Sequence, residues 1–353
     1  MARIIILTGM GEPEFSSNRG IIHAFKELGH DVITAGPPYW GRGYNADVPL
    51  PDKPHPEMYS YEEVLSKVQW QPDLFLNIEP HAFATGPKPP ELISAFYATD
   101  QHRAGGLYHR VASQGNFNYV FIGQPYFASS YIDMPKTKLC ILLPAFDERR
   151  FIKGLNTSPK VDISFVGQTG IAGLEFTEED EIGRFTTKPP SNLPTDIRRY
   201  AFSGHPGFDY CERAELLIRL MKDFRVHIYE QVWEPLKFQK ALQRGVVGFN
   251  RSLLNDISIR VFETMAAHRA LVTDDPSQWL SSKEGFMCRT YKSYFKPFFQ
   301  NFDLDYKYVR NLVIDALDTN KSKEEVIKHD FDLVWKDHSW RSRAGKILDL
   351  VFS

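Results

Sequence analysis

"NDISIRVFETMAAHRALVTDD", residues 255–275, reads as a helix followed by a short strand, "ALVTD" (270–274). Val261, Phe262, Met265 and Ala266 give the helix an apolar face. Its start is different, with Asn255, Asp256, Ser258, Arg260 and Glu263 crowded together. A helix N-terminus carries a partial positive charge and free N–H groups, so it can hold a phosphate. An arginine there adds a planar fork for phosphate oxygens. A carboxylate one turn further on can accept hydrogen bonds from two neighbouring hydroxyls, as on a ribose. Ser258, Arg260 and Glu263 therefore suit a nucleotide diphosphate. The plainer alternative is an Arg260–Glu263 ion pair at i,i+3 on the surface, which contributes little.

Strands and helices alternate on both sides of this stretch. Upstream lie "VDISFVG" (161–167), the amphipathic "ERAELLIRLMKDF" (212–224), "RVHIYE" (225–230), "EPLKFQKALQRG" (234–245) and "VVGFN" (246–250). The amino-terminal half repeats the alternation. "RIIIL" (3–7) is a strand buried on both faces, "RGIIHAFKELG" (19–29) a helix stopped by Gly29, and "HDVITAG" (30–36) a second strand, which together make a βαβ unit. "SYEEVLSKV" opens with a capping box of Ser60 and Glu63. "DLFLNIE" (73–79), "ELISAFYA" (91–98), "NYVFIG" (118–123) and "KLCILLP" (138–144) are further strands, with a helix over 106–114. Residues 147–160 are polar and read as a linker. Residues 171–210 fit no regular element and read as an insertion with long loops. The end is helical, over 306–317, 322–335 and 339–352. The aromatic series Tyr291, Tyr294, Phe295, Phe298, Phe299 and Phe302 falls at helical spacing, more in keeping with a core-facing stripe than a nucleic-acid stacking strip.

A chain of 353 residues implies about two domains. Hydrophobic residues at 42% and charged residues at 24% are ordinary for a soluble globular protein. The net charge of -2 supplies no global basic field for nucleic acid. Cys140, Cys211 and Cys288 stand far apart, with neither a disulfide framework nor metal-ligand spacing, and point to a reducing cytoplasm. No apolar run has the length of a transmembrane helix.

Gly9 and Gly11 follow the first strand, as in a dinucleotide site. The third glycine of that fingerprint is replaced by Glu14, and the second strand ends Thr34, Ala35, Gly36 without the acid that holds a ribose. A dehydrogenase is therefore disfavoured, and no P-loop occurs. Either this is a tight turn, or Gly11 approaches a ligand lying beyond the strand ends.

Four segments in order, "LPAFDERRF" (143–151), "VDISFVGQTG" (161–170), "VVGFNRSLLNDISIRVFETMAAHRALVTDD" (246–275) and "HSWRSRAGKIL" (338–348), resemble the donor-binding half of GT-B glycosyltransferases. The resemblance is to the CgeB-like group, related to the spore maturation protein CgeB. It implies an α/β fold of two Rossmann-like domains facing across a cleft. Residues 1–155 would form the acceptor side and 156–335 the nucleotide-sugar side, with the helix of 336–353 returning to the first domain. Glu263 matches the second glutamate of the E-x7-E pattern of retaining members, and the first falls on Asn255. Gly167 matches the glycine that lets the donor approach, but Gln168 and Thr169 stand near where an arginine and a lysine are common. Arg251 is then the candidate for the missing positive charge; Arg213 behind it reads as a solvated surface arginine.

The donor set implied is Glu263, Arg260, Ser258, Asn255, Arg251, Gly167 and Gly11. Asp100 and His102, in "FYATDQHR" (96–103), are the candidate catalytic pair, with Glu79 and His81 next. The implied reaction is sugar transfer from a nucleotide-diphosphate sugar, UDP-sugar favoured, to an unknown acceptor, with retention. No metal or other cofactor is expected: no D-x-D stands at a strand end in a metal-binding context, and "DLD" (303–305) reads as part of a polar linker. Two alternatives stay open, a nucleotide-sugar epimerase of the same fold and a non-catalytic glycan- or coat-binding protein. The acceptor alternative is a modified nucleic-acid base.

Overall fold

Ile4, Ile5, Ile6 and Leu7 are wholly buried, because their strand has a parallel neighbour on each edge and packed side chains on both faces. In the computed structural model this strand opens the first of two units, Met1–Asp147 with His338–Ser353; the second is Glu148–Asp337. The structure describes residues 1–8, 17–37, 46–54, 57–68, 70–78, 82–99, 101–131, 133–134, 136–171, 174–190, 208–252, 256–275, 278–291, 302–318 and 321–353.

The first unit runs β1 (Arg3–Leu7), α1 (Ser17–Glu27), β2 (Asp31–Gly36), β3 (Val48–Pro49), β4 (Glu57–Ser60), α2 (Tyr61–Leu65) and β5 (Leu74–Ile78). It continues with β6 (Ala82–Thr85), β7 (Ile93–Ala98), α3 (Gln101–Gln114), β8 (Tyr119–Ile122) and β9 (Lys138–Ile141). Seven strands form one parallel sheet in the order β3-β2-β1-β5-β7-β8-β9, and β4 pairs with β6 beside it. The pleat sends Ile4 and Ile6 to one face, against Ile21 and Phe25 of α1, and Ile5 and Leu7 to the other, against Tyr59, Tyr61 and Val64. Ser60 caps α2 by accepting from Glu63 N, half of the expected capping box.

The second unit runs β10 (Val161–Val166), β11 (Glu178–Glu179), β12 (Arg184–Thr186), α4 (Phe208–Asp223), β13 (Val226–Tyr229), α5 (Pro235–Gln243) and β14 (Gly245–Asn250). Then come α6 (Ile259–Ala266), β15 (Ala270–Asp274), α7 (Trp279–Ser282), β16 (Arg289–Tyr291), α8 (Phe302–Leu317) and α9 (Lys321–Asp337). Its seven-stranded sheet has the order β11-β12-β13-β10-β14-β15-β16, parallel from β13 to β16. The last helix, α10 (Trp340–Phe352), belongs to the first unit, as expected of a returning helix. Ser339 caps it, Arg343 Nε donates to Leu143 O at 2.8 Å, and Trp340 packs edge-on to Tyr97. A Cβ on Gly20 would stand 2.2 Å from Trp340 Cδ1, so that glycine lets α1 close on α10.

Three sequence expectations are corrected. Residues 171–210 are not wholly irregular: β11 and β12 extend the sheet antiparallel from β13, with exposed Glu178 and Glu179 on the outer strand. "DLD" (303–305) lies in the first turn of α8, not in a linker. The stretch 147–160 is no free linker either. Gln239 both accepts from Ile152 N and donates to Ile152 O, at 2.8 and 3.0 Å. Gln243 bonds Leu155 and Thr157, and Arg269 bonds Asn156 and Thr157. These contacts draw the segment onto α5, and the units divide after Asp147 rather than near residue 155. The aromatic series begins on β16 with Tyr291; residues 292–301 lie outside the described residues. Among the described residues no helix is long and apolar enough to cross a membrane.

Candidate functional site

β10 stands inside the second sheet. The chain leaves it to build β11, β12 and β13 on one side and returns as β14 on the other. Such a reversal opens a crevice at the carboxyl ends of the strands, where open α/β sheets bind ligands. The loops after β10 and β14 meet there. Arg213 of α4 ties them together, donating from Nη1 to Gln168 O at 3.0 Å and from Nε to Arg251 O at 2.8 Å. Arg251 is buried as well: its Nη1 donates to Asp274 Oδ2 at 2.6 Å, and Asp274 Oδ1 accepts from Ser252 N and Oγ. Exposures of 8% for Arg213 and 3% for Arg251 correct the reading of Arg213 as a solvated surface residue. The pairing with Asp274 also offsets the charge of Arg251.

α6 points its N-terminus at this edge. Ser258 caps it, with Oγ accepting from Arg260 N at 3.2 Å. Val261, Phe262, Met265 and Ala266 are buried as the helical spacing requires. The Arg260–Glu263 pair forms, with Nη1 to Oε2 at 2.9 Å, but it is not a surface pair, since the Glu263 side chain is 3% exposed. The other Glu263 oxygen, Oε1, accepts from Arg150 Nη1 at 3.3 Å. Both guanidiniums lie over the Phe238 ring, at 3.3 Å for Arg150 and 5.0 Å for Arg260.

The Arg260–Glu263 contact has ion-pair distance without hydrogen-bond geometry. Arg260 Nη1 and Glu263 Oε2 are buried and have no hydrogen-bond partner among the described residues. Leaving such atoms unbonded is costly, and native folds do so rarely. Two arginines, one carboxylate and a helix N-terminus give this corner a positive balance. Gly167 completes it with φ +144°, a conformation that side chains rarely adopt; a Cβ there would stand 3.4 Å from Arg260 Nη2. The bare backbone keeps the strand end open beside the guanidinium.

Five expected site residues thus come together on one unit: Gly167, Arg251, Ser258, Arg260 and Glu263. Asn255, Gly11, Asp100, Glu79 and His81 lie outside the described residues. His102 falls in the first turn of α3, just beyond the carboxyl end of β7, and its side chain also lies outside them. Sequence reading missed Arg150, whose contact with Glu263 spans 113 positions. It also missed the role of Arg213, for which a signal existed: Arg213, Leu216, Leu217 and Leu220 follow i, i+3, i+4, i+7 and are all buried. Among the described residues no three His, Cys, Asp or Glu side chains group as a metal site.

No protein-family model and no curated protein matches the sequence. Solved structures do match its fold. Sucrose-phosphate synthase from Thermosynechococcus elongatus is 11% identical with a TM-score of 0.56, covering 99% of this chain and 98% of that one. WaaG, a glycosyltransferase involved in lipopolysaccharide biosynthesis, is 11% identical with a TM-score of 0.52, covering 99% of both. An alpha-glucosyltransferase solved with UDP and a 13-mer DNA is 10% identical with a TM-score of 0.55, covering 100% of both. Matched end to end, with one parallel and one largely parallel sheet and a last helix that rejoins the first unit, the chain has the GT-B fold.

Proposed function

We propose that the protein is a glycosyltransferase moving a sugar from a nucleotide-diphosphate sugar, a UDP-sugar by preference, to an acceptor. The observation that carries this is the corner of Gly167, Arg260 and Glu263 at the reversal of the second sheet. Glu263 accepts hydrogen bonds from the two ribose hydroxyls; its Oε2 carries no hydrogen bond among the described residues. Arg260 and the N-terminus of α6 stabilise the diphosphate as it departs, which substitutes for a metal ion. Arg251 and Arg213 hold the loops that border it. Asp100 and His102 serve the acceptor, one of them as the positioned acid or base. Retention follows from the likeness of Glu263 to the second glutamate of the E-x7-E pattern, and the four segments quoted above support a place in the CgeB-like group. The nucleotide is supported by the UDP in the alpha-glucosyltransferase complex. That complex also contains DNA, which favours a nucleic-acid base as the second reading of the acceptor. The absence of cysteine frameworks in the sequence fits work in the cytoplasm.

The test is UDP and uridine binding by calorimetry. Glu263→Ala weakens UDP by about 1.5–3 kcal/mol, roughly 10- to 150-fold in Kd, the range for a hydrogen bond to a charged group. Arg260→Met weakens UDP and leaves uridine nearly unchanged. Unaltered UDP affinity in Glu263→Ala removes the ribose assignment, and equal losses for both ligands in Arg260→Met make that arginine structural. A wild-type protein that binds no nucleoside diphosphate is a binding protein rather than a transferase. One that converts a UDP-sugar to its epimer without acceptor is an epimerase.

A further inference from the structure

Glu263 is buried in the second turn of α6. Its neighbour on that helix, Arg260, reaches Oε2 at 2.9 Å without hydrogen-bond geometry, so this pair attracts the carboxylate but does not orient it. Among the described residues the carboxylate has one hydrogen bond, from Arg150 Nη1 to Oε1 at 3.3 Å. Arg150 ends the short turn Glu148–Arg150, 113 positions away. We propose that Arg150 is a positioning residue: it fixes the Glu263 carboxylate with Oε2 turned to the ligand, and so sets the selection of a ribose over a deoxyribose. The inference rests on the reading of Glu263 as the ribose acceptor.

Arg150 is itself firmly held. Its guanidinium lies 3.3 Å from the centroid of the Phe238 ring, and its Nη2 donates to Val232 O at 3.1 Å. The backbone just beyond is held as well. Phe151 stands edge-on to Phe238 with centroids 5.9 Å apart, and Ile152 exchanges two hydrogen bonds with Gln239. Head and backbone are thus fixed on α5 and the loop before it, elements to which Glu263 does not belong. A planar fork that spans Val232 O and Glu263 sets direction as well as distance, which a lysine does not do.

Two arginines on one carboxylate also divide the work. A diphosphate and Glu263 are both anions and compete for Arg260. When the ligand takes Arg260, Arg150 remains with Glu263, and the carboxylate keeps its partner and its position. Removing Arg150 frees the carboxylate to turn and leaves it contending with the phosphates for Arg260.

The experiment measures UDP and 2′-deoxy-UDP binding to the full chain by calorimetry and reads the ratio of the two dissociation constants. The ratio cancels any change at the diphosphate and any general loosening of the fold, since both probes meet those equally. Wild type prefers UDP about tenfold or more, the effect of one hydrogen bond to a charged acceptor. Arg150→Met keeps a preference below about threefold, with thermal unfolding as the fold control. Arg150→Lys, which retains the charge but not the fork, also loses at least about threefold of the preference and decides the matter if Arg150→Met does not fold. In a Glu263→Ala background Arg150→Met changes the ratio no further. Wild-type preference in the folded Arg150 variants overturns the inference and leaves the ribose reading standing. A wild type that does not distinguish the two probes overturns the ribose reading itself, and the inference with it.

Discussion

Arg260 and Arg269 stand at the two ends of α6, and their surroundings differ in one respect. The guanidinium of Arg269 is completed by the protein, bonding the segment 156–157, the end of α5 and the backbone before β15. Arg260 lies against Phe238 and Glu263, its Nη1 ion-paired but without a hydrogen bond among the described residues, and its side chain is 19% exposed. A buried arginine whose donors are all used holds a fold together. One left incomplete at a strand-end crevice is available to a ligand. The strongest way to break this comparison is Arg269→Met. It strands several buried carbonyls at about 1–3 kcal/mol each, so urea unfolding should show a loss of at least about 3 kcal/mol. UDP affinity of the folded protein should not change. A loss under about 1 kcal/mol means that Arg269 is not the clasp described.

The contrast extends to two carboxylates, Glu263 and Asp330, each 3% exposed. Glu263 faces two arginines. Asp330, on α9, accepts from the backbone N–H groups of Met287 and Cys288, and burial raises it from 3.8 to about 6. Between those values the folded state binds more protons than the unfolded one. Stability from this group is therefore greatest in acid and falls as pH rises from about 4 to about 6, by about 2–3 kcal/mol in all. Asp330→Asn keeps an acceptor for Met287 N and removes the titration. Denaturant curves across pH 4–8 should lose that slope, and the variant should be the more stable protein at pH 7.5. An unchanged slope assigns it to other groups.

What could be read from the sequence was local. The buried run of β1, the strand 270–274 and the Arg260–Glu263 pair each sit within a few residues, where periodicity and i,i+3 spacing carry the information. Arg150 had no such signal, because its partner is distant in the chain. Gln239 and Gln243 read as the polar face of an amphipathic helix, yet they are buried and bind backbone that the sequence marks only as polar. β11 and β12 are too short and too charged to show alternation. Arg213 was legible through its place in an apolar stripe, which charge alone obscured.

The smallest expected effect is the sharpest test of how the corner at Arg260 works. Gly167→Ala puts a side chain at φ +144°, which costs about 1–2 kcal/mol of stability. The added Cβ meets Arg260 Nη2 at 3.4 Å, and that flexible end gives way before the strand does. UDP affinity should then fall a few-fold, through displacement of the guanidinium. In an Arg260→Met background nothing remains to displace. There the stability cost should persist while the further loss of UDP affinity disappears, a coupling that a double-mutant cycle measures directly. Losses of affinity that simply add would mean that Gly167 acts without Arg260, by meeting the ligand itself. The corner would then be two separate contacts rather than one guanidinium held open by a bare backbone.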